Sequence, residues 1–315
     1  MGRPVISVGN LSVGGSGKTP IVAYIARWLV AESESPTILS RGYGRRRTPA
    51  GVTVVSDGTA ILSDLDSSGD EPLMLARMVP GARVLVGASR YVSGRLGEEK
   101  LAATVHLLDD GFQHVELARD VDLLVTSEED LTDRPLPAGR LRESLTTARL
   151  ADAVLVTATY DQAAERVGRA LGVATVFRVV RLLGVPRLIS TGDTVVVPTD
   201  EPVFAIAGIA RPDQFFAGLA SAGWKVAGTM TFRDHHVFTD RDVERAQAAA
   251  RTASARIVMT TEKDAVRLAG RRLDGLPVAA VPLTVTVEPA EAFATWLRLR
   301  LHAARQRTLN LEPNS

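Results

Sequence analysis

The 315-residue chain contains no cysteine. That excludes a disulfide framework and any thiolate metal site. It also lacks an excess of charge of either sign: 37 Lys and Arg face 36 Asp and Glu, a formal net charge of +1. No strong field marks it as a nucleic-acid binder, and no nucleic-acid partner is expected. No apolar run reaches membrane-spanning length. The start, Met1-Gly2-Arg3-Pro4, is not a secretory signal, because strand-like sequence follows almost at once. A cytoplasmic chain is therefore expected, one that can still touch a membrane surface. Repeats, low-complexity tracts and any sign of an obligate protein partner are also missing.

What is present is an alternation of apolar runs and helical periodicity. β-Branched, apolar stretches occur at Pro4–Val8, Thr37–Ser40, Val52–Ser56, Val84–Gly87, Val105–Leu108, Val121–Thr126 and Ala153–Ala158. Helical spacing falls at Pro20–Val30, Glu71–Met78, Ser89–Lys100 and Gln162–Leu171. Near-continuous apolar strands separated by helices predict an α/β fold with a mostly parallel sheet covered on both faces. The length allows two domains. The stretch from Val176 to Pro202 is strand-like, rich in Pro, Gly and Thr, and reads as a crossing region. A second alternating set follows, ending in a strand at Val278–Val287 and a helix from Ala290 to about Ala304. The expected division is a nucleotide-binding domain over 1–180, a smaller α/β domain over 181–288, and a C-terminal helix with a polar tail over 289–315.

The run Ser12-Val13-Gly14-Gly15-Ser16-Gly17-Lys18-Thr19 lies between the first strand and the first helix. A strand, a glycine-rich turn ending in Gly-Lys-Thr, and a helix form a phosphate cradle. Backbone amides turn inward, the helix N-terminus adds partial positive charge, Lys18 reaches the outer phosphates and the Thr19 hydroxyl suits Mg²⁺. Ser12 stands where the strict pattern has its first glycine, and the strand–turn–helix context compensates. The alternative is a glycine-rich turn capping an ordinary helix.

Four further constellations suit chemistry. An apolar strand ending in Asp109-Asp110-Gly111 places carboxylates at the carboxyl edge of the sheet, where they suit Mg²⁺. The bland alternative is an Asp-Gly turn. Asp70, in Ser68-Gly69-Asp70-Glu71-Pro72, either caps the following helix or serves as a general base for an alcohol. The run Leu136–Glu143 carries Arg142 and Glu143, suited to phosphate and metal, though solvated loop charge is the default. Asp234-His235-His236 holds two of the five histidines and suits proton chemistry.

Taken in order, these runs resemble the tetraacyldisaccharide 4′-kinase family, the lipid A 4′-kinases. The matching signatures are VGNLSVGGSGKTP at Val8–Pro20, SRGYGR at Ser40–Arg45, GDEP at Gly69–Pro72 and LDDGFQH at Leu108–His114, followed by Arg119-Asp120. LPAGRLRE at Leu136–Glu143, DHH at Asp234–His236 and TTEKD at Thr260–Asp264 complete the set. The resemblance implies a two-domain P-loop kinase of lipopolysaccharide biosynthesis. It would move the ATP γ-phosphate to the 4′-hydroxyl of a tetraacylated disaccharide 1-phosphate, at the cytoplasmic face of the inner membrane. The cofactors would be ATP and Mg²⁺. Lys18 and the Ser12–Thr19 loop would hold phosphates, while Thr19, Asp109, Asp110 and Glu143 would serve the metal. Asp70 would act as base with His235 as its partner, and Arg142 and Arg41 would meet phosphate or substrate.

Two departures from the family accompany the match. Relatives usually carry an apolar, basic helix before the first strand, whereas here the sequence starts at the strand. Arg233 stands where proline often precedes Asp-His. A rival class, a GTPase-like switch, needs Asn/Thr-Lys-x-Asp, but in Thr261-Glu262-Lys263-Asp264 the Lys and Asp are adjacent. An inactive relative is disfavoured by the intact Lys18, Thr19, Asp109 and Asp70.

Overall fold

The computed structural model describes residues 1–14 and 17–311, with the side chains of 308–311 excepted. Gly15 and Ser16 of the phosphate loop lie outside the described residues. The chain divides into two compact units, Met1–Arg181 with Val285–Ser315, and Leu182–Thr284.

The first unit alternates as its apolar runs demand. In chain order it contains β1 (Val5–Asn10), α1 (Lys18–Ala31), β2 (Pro36–Ser40), β3 (Thr53–Asp57), α2 (Leu65–Ser68) and α3 (Asp70–Met78). Next come β4 (Arg83–Val86), α4 (Arg90–Lys100), β5 (Val105–Asp109), β6 (Val121–Ser127), β7 (Ala153–Thr157) and α5 (Asp161–Leu171). Two 3₁₀ turns, Glu128–Thr132 and Leu145–Leu150, lie between β6 and β7. Strand β8 (Val176–Leu183) leads out to the second unit.

That second unit holds β9 (Arg187–Leu188), β10 (Pro202–Ala207), α6 (Pro212–Ser221), β11 (Lys225–Thr231), α7 (Asp240–Thr252), β12 (Ile257–Thr261), α8 (Glu262–Leu268) and β13 (Val278–Val281). The chain returns along β14 (Leu283–Glu288) and ends in α9 (Ala290–Leu311).

The larger sheet runs β14-β8-β7-β6-β1-β5-β2-β4-β3. The neighbours from β8 through β4 pair in parallel, and β3 adds an antiparallel edge. Strands β1, β2 and β5 are buried along their whole length, as a parallel sheet covered on both faces requires. Parallel alignment gathers the carboxyl ends of β1, β2, β4 and β5 at one edge, where ligands of such sheets bind. The smaller sheet, β11-β10-β12-β13-β9, is parallel except for β9. This is the P-loop NTPase-like architecture with a second, smaller α/β unit.

Two local readings needed correction, and one motif gained an element. The apolar run Val278–Val287 is two strands in two sheets, broken at Pro282, whose ring removes the amide a continuous ladder requires. TTEKD starts a helix, α8, with Thr261 as its cap. The last helix continues to Leu311 and belongs to the first unit. There Phe293 meets Phe177 edge-on, with ring centroids 5.1 Å apart, and Arg298, Arg300, Arg305 and Arg307 pair with Glu32, Asp152, Glu34 and Asp120. Among the described residues no helix is long and apolar enough to cross a membrane.

Candidate active site

The site is built from the end of β1 outward. Buried Asn10 closes the strand. Its amide donates to the Ser12 carbonyl at 2.5 Å and to Ser12 Oγ at 3.2 Å. Its Oδ1 accepts from Lys18 Nζ at 2.6 Å, so the turn and the lysine are held by one side chain. Gly14 adopts φ 96. Gly17 caps α1 at φ 75, and a Cβ there would collide with the Arg181 guanidinium. The left-handed backbone therefore favours glycine at 17, while the Arg181 guanidinium, the end of a flexible side chain, can shift aside.

A second wall is added by the Leu136–Glu143 run. Val13 N donates to the Arg140 carbonyl at 2.8 Å, Arg142 N donates to the Leu11 carbonyl at 2.6 Å, and Ser12 bridges Leu141 antiparallel. This zipper delivers Arg142 to the tip of β5. Its Nη1 reaches Asp110 Oδ1 at 3.1 Å and Oδ2 at 2.9 Å, with Gln113 Oε1 at 3.3 Å. Lys18 Nζ lies 2.8 Å from Asp110 Oδ1. Gln113 closes the ring by donating to the Asn10 carbonyl at 2.8 Å. Glu143 follows Arg142 and is half-buried.

The two aspartates of LDDGFQH differ sharply. Asp109 is buried at the end of β5. Burial, with Glu71 and Asp110 adding to it, pushes its carboxyl up to about 7 against the pull of Lys18 and Arg90. Asp110 sits at φ 57. Burial would raise it too, but Lys18 and Arg142 hold it below the usual carboxylate range. The turn carrying both is gripped by Arg119, whose Nη1 donates to the carbonyls of Gly111, Phe112 and His114.

Asp70 is buried and is the first residue of α3, and the cap position falls to Gly69. The alternative of a capping aspartate is therefore not what the backbone adopts, although Asp70 Oδ1 accepts from the Glu71 amide at 2.9 Å. Next to this turn runs the SRGYGR loop: a Cβ on Gly69 would stand 3.0 Å from the Tyr43 carbonyl. Arg41 is exposed at the end of β2. Its charge is felt by Arg90, which burial and then Arg41 push down to about 10.

His235 belongs to the second unit and is described within it. It sits at φ 57, with Lys263 Nζ 3.5 Å from Nε2 and Arg267 Nη2 3.4 Å from Nδ1. Arg267 is held in turn by the Gly208 carbonyl at 2.7 Å and buried Asp264 at 3.0 Å. His236 is engaged differently, stacked on Phe232 and 3.1 Å from Asp242 Oδ2. TTEKD thus forms the floor under DHH and is not a base-reading motif.

Sequence reasoning brought Lys18, Asp109, Asp110 and Arg142 to notice, and the fold brings these four together with Thr19 on α1. It missed Asn10, Gln113, Arg90, Glu71 and Arg181. Arg90 opens α4 and Arg181 lies on β8, outside the quoted motifs, whereas Glu71 sits in the first turn of α3 within GDEP. Asn10 and Gln113 lie inside quoted motifs, and their polarity in buried or half-buried turns was the available signal.

A phosphate loop at the first strand of a parallel sheet, with paired acids at the next strand's tip, defines the class of P-loop kinases. Residues 1–302 match the tetraacyldisaccharide-1-P 4′-kinase family, LpxK. The chain belongs to that family. It is 42% identical over 279 residues to the tetraacyldisaccharide 4′-kinase of Geobacter metallireducens, covering 85% of this chain and 79% of the relative. It is 38% identical over 296 residues to that of Koribacter versatilis, covering 92% and 86%. A crystal structure of LpxK from Aquifex aeolicus in complex with ATP superposes with a TM-score of 0.75 at 33% identity, covering 96% of this chain and 89% of that one.

Proposed function

We propose that this tetraacyldisaccharide 4′-kinase transfers the γ-phosphate of ATP to the 4′-hydroxyl of a tetraacyldisaccharide 1-phosphate, and that the residues gathered at the sheet edge carry the step. The acceptor oxygen forms a bond to the γ-phosphorus, the bond to the β,γ-bridging oxygen breaks, and ADP leaves. The acceptor's proton passes to Asp70. Phosphoryl transfer asks mainly for alignment and charge neutralisation. Lys18, fixed by Asn10 and Asp110, supplies a cation at the outer phosphates. The α1 N-terminus supplies amides through the Ser12–Thr19 loop. Arg142 and Arg90 add positive charge beside the aspartates, and Arg41 stands at the entrance from β2.

Mg²⁺ fits this donor set. Among the described residues no group of three or more His, Cys, Asp or Glu converges, and Mg²⁺ characteristically uses one or two carboxylates with substrate phosphates. Asp109, desolvated at the strand tip, offers a carboxylate, and Thr19 offers a hydroxyl. Asp110 and Glu143 stand beside them. A bound Mg²⁺ would neutralise charge on the β- and γ-phosphates. The same reading assigns His235 to proton transfer alongside Asp70. Its support is the imidazole's chemistry and its rigid setting over α8. With no membrane-crossing helix among the described residues, peripheral action at the cytoplasmic face of the inner membrane fits an acylated acceptor.

The Lys18–Asp110–Arg142 cluster at the phosphate loop carries this proposal. Transfer of ³²P from γ-labelled ATP to purified tetraacyldisaccharide 1-phosphate tests it. A Mg²⁺-dependent labelled product is expected, and no labelled lipid above the Lys18→Ala background would overturn it.

A further inference from the structure

The phosphate loop departs from the strict glycine pattern at Ser12. Ser12 is buried, does not adopt a positive φ and bridges Leu141 as an antiparallel partner. The Val13 amide donates to the Arg140 carbonyl at 2.8 Å, so it is turned away from any phosphate. The first half of the loop is thus a short extended segment. The turn that can cradle phosphate begins at Gly14, where φ is 96. An extended backbone does not need glycine at 12. It needs a neighbour that keeps it extended.

That neighbour is a clasp folded back on itself. Leu141 bridges Ser12 on one side and Pro135 on the other. Its amide donates to the Arg134 carbonyl at 2.9 Å, and its carbonyl accepts from Leu136 N at 2.8 Å. The Leu141 side chain is buried in one cluster with Leu11 and Phe112. A single carboxylate closes the clasp. Asp133 Oδ1 accepts from the amides of Arg134 at 2.8 Å and Arg140 at 3.0 Å, while Oδ2 accepts from Arg140 Nε at 2.6 Å. The Arg140 amide, then that of Arg134, hold this carboxyl below the usual range. Gly139 leaves it room: a Cβ there would come within 2.4 Å of both Asp133 Oδ1 and the Arg134 carbonyl. Asp133 also ends the 3₁₀ turn that follows β6, a turn closed at its start by the Ser127–Asp130 capping box. Strand β6 pairs with β1. A continuous set of bonds therefore runs from the sheet through Asp133 and Arg140 to Val13. Two residues beyond Arg140, Arg142 reaches Asp110.

We infer that Asp133 is a positioning residue for the nucleotide: acting through Arg140, it fixes the first half of the phosphate loop and the approach of Arg142, where the usual pattern relies on a glycine at 12. Asp133 itself touches neither phosphate nor metal in this role. The inference rests on the proposed kinase reading and adds what preorganises its nucleotide site. Ionised carboxylates suit the task because charge-assisted bonds to amides and a guanidinium are short and directional.

The test measures ATP binding calorimetrically on the full chain without acceptor, together with kcat and the KM for acceptor. Asp133→Ala should weaken ATP binding roughly tenfold or more, the scale of one lost charge-assisted contact. It should also lower kcat, because Arg142 is displaced, while the acceptor KM stays within about twofold. Hydrogen exchange at the Val13 amide should quicken as its acceptor loosens. Asp133→Asn, which keeps an oxygen for the amides but no charge for Arg140 Nε, should fall between and covers the case of an unstable Ala variant. Gly139→Ala, which crowds the same carboxylate, should reproduce the weakened ATP binding. Wild-type ATP affinity in Asp133→Ala and Asp133→Asn overturns the positioning role, as does an equal loss toward ATP and acceptor with a lowered melting temperature. Both results leave the kinase reading intact. A wild type that binds ATP but labels no acceptor overturns the kinase reading, and the ATP affinities of the variants then still decide the role of Asp133.

Discussion

Lys18 Nζ and Asp110 Oδ1 lie 2.8 Å apart, joining the first turn of α1 to the residue just beyond β5. The lysine also donates to Asn10, so its position is set from two sides, by the strand before the phosphate loop and by the turn after the neighbouring strand. Such preorganised charge contributes more than a mobile cation, because little reorganisation remains when charge shifts in the transition state.

Lys18→Ala is expected to lower kcat by several powers of ten, about the scale of losing a cation at a transferring phosphoryl group. Asn10→Ala should cost less, roughly ten- to a hundredfold, because the lysine keeps Asp110. Steady-state kinetics of both variants give the comparison. Turnover of Lys18→Ala within a few-fold of wild type would remove the lysine from the mechanism.

Asp109→Asn should raise the Mg²⁺ concentration needed for half-maximal rate and lower the maximum, since a ligand oxygen loses its charge. A Mg²⁺ titration superimposable on wild type would free Asp109 of that role.

Asp70→Asn and Asp70→Ala should both lose roughly 10²–10⁴-fold in kcat, with ATP affinity nearly intact. Because Gly69 occupies the cap position, neither should show the loss of about 1 kcal/mol that removing a capping side chain brings. An active Asn variant of normal melting temperature ends the general-base assignment. His235→Ala should also lower kcat, and the double variant should be little worse than the poorer single if the two act as one unit.

Gly17→Ala combines a left-handed backbone with a collision against Arg181. A stability loss of about 1–2 kcal/mol from the backbone alone is expected, together with weakened nucleotide binding. Adding Arg181→Ala should relieve the collision but not the backbone cost. Calorimetry of the single and double variants separates the two contributions, and equal stability of both would show that Arg181 does not crowd Gly17.

His106 supplies a pH dependence of stability. It is fully buried on β5, with Nε2 3.0 Å from Glu98 Oε1. Burial lowers its pKa from 6.5 despite Glu98. The folded state therefore takes up the proton less readily than the unfolded state. Its contribution is complete above about 6.5 and lost as pH falls below that, by at most about 1.4 kcal/mol per pH unit. Thermal melts between pH 7.5 and 5.5 should show a steeper fall for wild type than for His106→Gln. Parallel slopes would refute the assignment. Glu98, itself held low, titrates below this window.

Most of the first unit was legible because its strands are buried on both faces and read as continuous apolar runs. Boundaries of β1, β5 and β6 moved only by one or two residues. Short elements escaped. Helix α2 is four residues long, too short for periodicity. Helix α8 opens with a polar Thr-Glu-Lys-Asp run whose Asp264 turns inward to the Gly208 amide, an arrangement only β10 makes possible. The break at Pro282 was visible as a proline, but assigning its two sides to different sheets needed the strand order.

The sequence by itself determined the local chemistry: a glycine-rich turn ending in Lys18-Thr19, an acid pair ending an apolar strand, and the order of motifs that marks the family. Spacing along the chain suffices there, because each motif is one turn between two elements. Only the tertiary structure decided which turns meet. The strand order β1-β5-β2-β4 brings residues around 12, 41, 70, 90 and 110 to one edge, and backbone hydrogen bonds from Val13 to the Arg140 carbonyl and from Arg142 to the Leu11 carbonyl fasten a distant loop beside the end of β1. The buried charges Arg90 and Arg181 gain their meaning only there, since desolvation and neighbours, not residue type, determine what a guanidinium can do.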